Sequence, residues 1–144
     1  MIIVDSREKK NQHILDYFDR IGEQYQIRKL STGDYVDSDR ADLTIDRKKD
    51  LQELAGNVCT TDGRFWREVR RSKEEGLKMI VLIEHGGQIK TMNDVPKWRS
   101  KYSRVTGRML FEQMFRIHVA YGVEFLFCDK RNTGRRILEL LRNG

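Results

Sequence analysis

Met79-Ile80-Val81-Leu82-Ile83 is an unbroken apolar run of strand length. A run without alternation predicts a central strand buried on both faces, which confines the chain to architectures that cover a sheet above and below. Periodic segments on either side predict the rest. From Lys10 to Gly22, residues Ile14, Phe18 and Ile21 recur at helical spacing beside Leu15, and Gly22 is placed to end the helix. Thr106 to Tyr121 predicts a long helix whose stripe Leu110, Met114, Ile117 and Tyr121 is widened by Phe111, Phe115 and Val119. That wide apolar arc is read as core or as a dimer face. Thr133 to Arg142 predicts a last helix with Ile137, Leu138 and Leu141 inward.

Short strands are predicted at Met1–Val4, Gln24–Leu30, Asp34–Asp37, Asp42–Lys48 and Val123–Phe127, with turns at Ser31-Thr32-Gly33 and Ser38-Asp39-Arg40. The three consecutive strands from Gln24 to Lys48 read as an antiparallel meander. Asp50 stands as an N-cap with Glu53 three residues on, opening a helix through Leu51, Leu54 and Ala55. After a break from Asn57 to Gly63 a helix resumes over Arg64–Gly76, with Phe65, Val69 and Trp66 inward and Arg67, Arg70, Arg71 and Lys73 outward. The predicted order, βαβββα(α)βαβα, is an α/β fold: a mixed central sheet with an antiparallel meander, flanked by helices. At 144 residues it makes a single domain.

Chemistry concentrates in the Asp42–Lys48 strand. With a period of two, Leu43 and Ile45 face one way while Asp42, Thr44, Asp46 and Lys48 face the other. Asp46 and Lys48 therefore project side by side from a rigid support, and Asp34 can add a second carboxylate. Two hard oxygen ligands can hold Mg²⁺ or Mn²⁺ while leaving places for water and phosphate. An ammonium alongside orients that water or steadies a developing negative oxygen. The pattern reads as a metal-dependent nuclease site, although alone it is short enough to recur by chance.

Bulk properties permit a polyanionic partner. The formal net charge is +6 and 35% of residues are charged, with a pI near 9.4. No apolar run is long enough for a membrane span, and no signal-peptide pattern precedes the first strand. Cys59 and Cys128 are too few for a disulfide framework or zinc site, which suits free thiols in a reducing cytoplasm.

Several segments, taken in order, resemble the nuclease domain of the XPF/Hef family of structure-specific DNA endonucleases, whose fold is restriction-endonuclease-like. Val4-Asp5-Ser6-Arg7-Glu8 resembles the family's V-D-x-R-E, Gly33-Asp34-Tyr35 its G-D-Y, and Asp46-Arg47-Lys48 its E-R-K. Asp50-Leu51, Asp62-Gly63-Arg64-Phe65 and the strand ending at Glu84 follow in place. The resemblance implies that Asp5, Asp34 and Asp46 surround a divalent metal, that the Arg47 carbonyl completes its shell, and that Lys48 is the catalytic lysine. Arg7 and Glu8 would be a supporting charged pair, and the products a 5′-phosphate and a 3′-hydroxyl. Asp46 stands where the family has Glu, one methylene shorter. Asp50 follows Lys48 more closely than the family's next Asp, which leaves it a catalytic group or only a helix cap. No helix-hairpin-helix module is expected within these 144 residues, so the resemblance implies a homodimer or a separate DNA-binding partner. A solitary domain of this kind would suit a phage or mobile element.

Cations elsewhere are candidate DNA contacts: Arg64, Arg67 and Arg71 on one helix, and Lys97, Arg99, Lys101 and Arg104 in a loop that also carries Trp98 and Tyr102. In that loop, cations and aromatics alternate in the way that tracks phosphates and stacks unpaired bases. Equally, both rings could tuck into the core beneath a basic loop. His13, His85 and His118 show no ligand spacing.

Overall fold

A computed structural model describes residues 1–60 and 63–143. The central strand is β5 (Lys78–Glu84) in a six-stranded sheet of order β2-β1-β3-β4-β5-β6. The others are β1 (Ile2–Asp5), β2 (Tyr25–Arg28), β3 (Tyr35–Asp37), β4 (Arg40–Lys48) and β6 (Glu124–Cys128). Strand β5 pairs in parallel with β4 and β6, and β1 in parallel with β2. Strand β3 runs antiparallel to both β1 and β4. The antiparallel part of the sheet is thus β1, β3 and β4 rather than three consecutive strands. The expected β2–β3 pairing does not form because β1 lies between them, leaving β2 at the edge.

Alternation along β5 divides the core. Met79, Val81 and Ile83 pack beneath α2 (Leu51–Val58), α3 (Arg64–Glu74) and α4 (Gly107–Tyr121). Ile80 and Leu82 pack with Leu43 and Ile45 against α1 (Gln12–Ile21) and α5 (Thr133–Asn143). A strand apolar on both faces is what sandwiching between two helical layers requires. Local signals set the helix ends. The Asp50 side chain accepts from the Glu53 N–H at 2.8 Å and Thr106 caps α4, while Gly22 ends α1 with φ of 75°. Asp50 is accordingly a helix cap.

The polar segment after β5, expected as a loop or short helix, contains a 3-10 helix, Met92–Lys97. One expectation changes. Helix α4 is buried through Leu110, Met114 and Ile117, but Phe115 is 50% and Val119 67% exposed, so the wide arc is not all core. Among the described residues no helix is long and apolar enough to cross a membrane.

Candidate active site

One reversed strand assembles the site. Strands β1 and β4 run the same way, so Asp5 and Asp46-Arg47-Lys48 emerge at the same end of the sheet. Because β3 runs against them, its first residues lie at that end too, and Asp34 immediately precedes β3. The Asp34 N–H donates to Ile45 O at 2.7 Å, and Asp34 O accepts from the Asp5 N–H at 2.8 Å. Gly33 makes this approach possible: at φ of 73°, any Cβ would sit 2.0 Å from Thr44 Oγ1.

The resulting cleft, about 250 Å³, is lined by Asp5, Arg7, Asp34, Asp46, Lys48 and Glu68 among others. Asp34 Oδ2 accepts from the Arg47 N–H at 2.8 Å. Burial, then the neighbouring charges of Asp46 and Glu8, push the Asp34 carboxyl well above the usual range. Asp46 is only 5% exposed. Its Oδ2 is buried without a hydrogen bond, although Lys48 Nζ lies 3.1 Å away in a poorly aligned ion pair. Lys48 also sits 4.7 Å from the centre of the Phe65 ring. Burial works to discharge the lysine, but Asp46 outweighs it and holds the ammonium above its ordinary pKa.

Arg47, between Asp46 and Lys48, points through the opposite face of β4. Its guanidinium bonds Glu8 at 2.8 and 3.1 Å and the Lys9 carbonyl at 2.7 Å, and it closes on Glu84. Tyr35 donates to Glu8 at 2.7 Å, while Glu84 meets His13 at 2.6 Å and accepts from Thr133 at 2.5 Å. This buried network pins the backbone whose N–H orients Asp34.

Arg7 and Glu8, the expected supporting charges, both line the cleft but take separate partners. Arg7 grips Asp5 at 3.1 and 3.3 Å and Glu8 serves Arg47. Asp5 is further engaged by the Leu30 N–H at 2.8 Å, so its oxygens already have partners. Among the described residues no group of three or more His, Cys, Asp or Glu side chains is arranged to hold a metal ion. Of the three carboxylates expected at a metal, Asp34 and Asp46 remain, and the unbonded buried Oδ2 of Asp46 fits a hard cation completed by water, backbone carbonyl or phosphate.

Sequence reading missed Glu68. Its Oε1 accepts from the Gly33 N–H at 2.9 Å, and burial and then the Asp46 charge push its carboxyl up. The signal was present: Arg64, Glu68 and Arg71 follow at i, i+4 and i+7 on one face of α3. Arg71 lines the cleft and donates to Ser31 O at 2.9 Å. Arg64 and Arg67 are exposed on α3, whereas Asp62 of the same motif lies outside the described residues. Lys97, 3.6 Å from Asp94, and Arg99, Lys101 and Arg104 stay outside the acidic cleft. His13 and His118 are structural, the latter bonded to Val123 O at 2.8 Å, and His85 lies outside the cleft.

Residues 4–141 match the ERCC4 domain. The chain belongs to the ERCC4 domain family. This is a family of structure-specific DNA nucleases, and its domain spans all the motifs described above. The ERCC4 fold is also that of XPF from Aeropyrum pernix, similar at 23% identity with a TM-score of 0.74 over 99% of this chain. The same archaeal protein in complex with DNA is similar at 22% identity, with a TM-score of 0.73 over 99% of this chain. The chain spans 63% of the length of each of those solved chains. A comparison with curated proteins finds no match.

Proposed function

We propose that this ERCC4 domain is a divalent-metal-dependent DNA endonuclease that hydrolyses phosphodiester bonds in branched or structured DNA, leaving 5′-phosphate and 3′-hydroxyl ends. One observation carries the reading: Asp34, Asp46 and Lys48 converge in a polar cleft where a buried Asp46 oxygen lacks a hydrogen bond. Asp34 and Asp46, with the Arg47 carbonyl, would hold Mg²⁺ or Mn²⁺. A cation there neutralises phosphate charge and makes water more acidic.

The chain's own residues do the rest. The Arg47 N–H keeps Asp34 oriented, and the Arg47–Glu8–Glu84 network keeps that N–H in place. Lys48, charged and trapped between Asp46 and Phe65, faces the reacting phosphate as a fixed cation rather than a base. Arg7 and Arg71 line the cleft and can receive flanking phosphates. Support for DNA as the substrate comes from the family, the excess of cations, and the DNA complex of the archaeal relative.

Plasmid nicking in Mg²⁺ or Mn²⁺, abolished by EDTA, tests the reading. Asp34→Asn and Lys48→Ala should each reduce cleavage by at least about a hundredfold while preserving DNA binding. Binding without cleavage under any of these metal conditions would instead establish a non-catalytic DNA-binding module.

A further inference from the structure

The loop after the 3-10 helix borders a second cleft, about 240 Å³, lined by Asp50, Gln52, His85, Trp98 and Tyr102. It adjoins the acidic cleft across the first turn of α2, since Glu53 lines the latter and Gln52 this one. The two aromatic rings of the loop have different fates. Trp98 packs against the core beneath α4, whereas Tyr102 is 83% exposed.

The loop backbone that carries that ring is tied in place. Ser100, itself buried, donates to Gln52 at 2.7 Å and accepts from the Tyr102 and Ser103 N–H groups at 3.2 and 3.1 Å. The Ser100 N–H reaches Val105 O at 3.2 Å, and Arg99 bridges Thr106 across the loop base. A backbone so tied loses little entropy when a flat ligand docks on the ring. Arg99 and Lys101 line the same cleft as Tyr102 and Arg104 follows it by two residues; all three are exposed and make no ion pair among the described residues. An apolar partner surface would be poorly served by three solvated cations, whereas a nucleic-acid strand uses both features.

We propose that Tyr102 is the platform of a subsite for an unpaired nucleobase, with Arg99, Lys101 and Arg104 tracking the phosphates of that single-stranded segment. The cleft beside it adjoins the acidic cleft across the first turn of α2, so the bound base would come from a single-stranded arm that leaves the duplex near the scissile bond. This rests on the nuclease reading for its DNA substrate, but its geometry does not involve the metal residues.

Binding is measured in EDTA by fluorescence anisotropy, using a fork with one single-stranded arm and a fully paired duplex of equal length. Tyr102→Ala should weaken fork binding about tenfold and leave duplex binding unchanged, because stacking acts only on an unpaired base. Tyr102→Phe should restore it. A 2-aminopurine in the arm near the junction should be quenched by the wild-type protein and by Tyr102→Phe but not by Tyr102→Ala. Equal effects of Tyr102→Ala on fork and duplex, or no rescue by Phe, would overturn the proposal. Fork-selective loss in a protein that never cleaves would retain the subsite and remove the nuclease reading. Cleavage with an unchanged fork preference in Tyr102→Ala would do the reverse.

Discussion

At the scale of single residues, the site stores electrostatic cost. Asp34 and Asp46 share a small buried space, and Asp34 and Glu68 both resist ionisation. A carboxyl whose folded pKa exceeds its unfolded value destabilises the fold once pH rises above the unfolded value, because the folded state then binds the extra proton. Asp34→Asn removes that charge yet keeps an oxygen to accept from the Arg47 N–H. Near neutral pH with EDTA it should therefore raise unfolding stability by roughly 1 kcal/mol while cleavage disappears. Urea unfolding checks the first part. A stability loss would mean that the carboxylate is a structural acceptor rather than a poised ligand.

Among elements, the Arg47 network is the fastener. Glu8 follows β1, Arg47 lies in β4, Glu84 ends β5, His13 belongs to α1 and Thr133 opens α5. Burial alone would raise the Glu84 carboxyl, but the Thr133 and His13 hydrogen bonds with the Arg47 charge hold it below the ordinary value. A depressed folded pKa contributes stability above the unfolded pKa and loses it as pH falls through the folded one. Glu84→Gln should cost about 2–3 kcal/mol near neutral pH by leaving Arg47 undercompensated. The gap from wild type should then close on acidification below the ordinary glutamate range. Denaturation midpoints across that range give the measurement, and a pH-independent gap would deny Glu84 its charge.

For the whole molecule, the exposed apolar face of α4 is the outstanding surface. Met109, Phe115 and Val119 are exposed, and Trp66, Phe115, Val119 and Tyr121 line an open cleft of about 440 Å³. The dimer face expected from the sequence falls on these exposed positions of α4. Phe115→Glu with Val119→Asp should give a purely monomeric protein by sedimentation, with folding intact, if the wild type is dimeric. A wild type monomeric at tens of micromolar would exclude a dimer face there.

Periodicity made most of the architecture legible. Lone apolar runs, caps at Asp50 and Gly22, and the alternation of Leu43 and Ile45 against Asp46 and Lys48 are local properties, and local sterics and hydrogen bonding determine them. The motifs around Asp34 and Lys48 likewise named candidate residues before any contact was known. What tertiary structure alone decided was partnership. That β1 separates β2 from β3, that Arg7 goes to Asp5 and Glu8 to Arg47, that Glu68 reaches Gly33, and that Trp98 turns in while Tyr102 turns out all depend on groups distant in sequence. A charged side chain has several possible partners within reach of its type. Only the strand order, set by burial of the sheet as a whole, selects the one it meets.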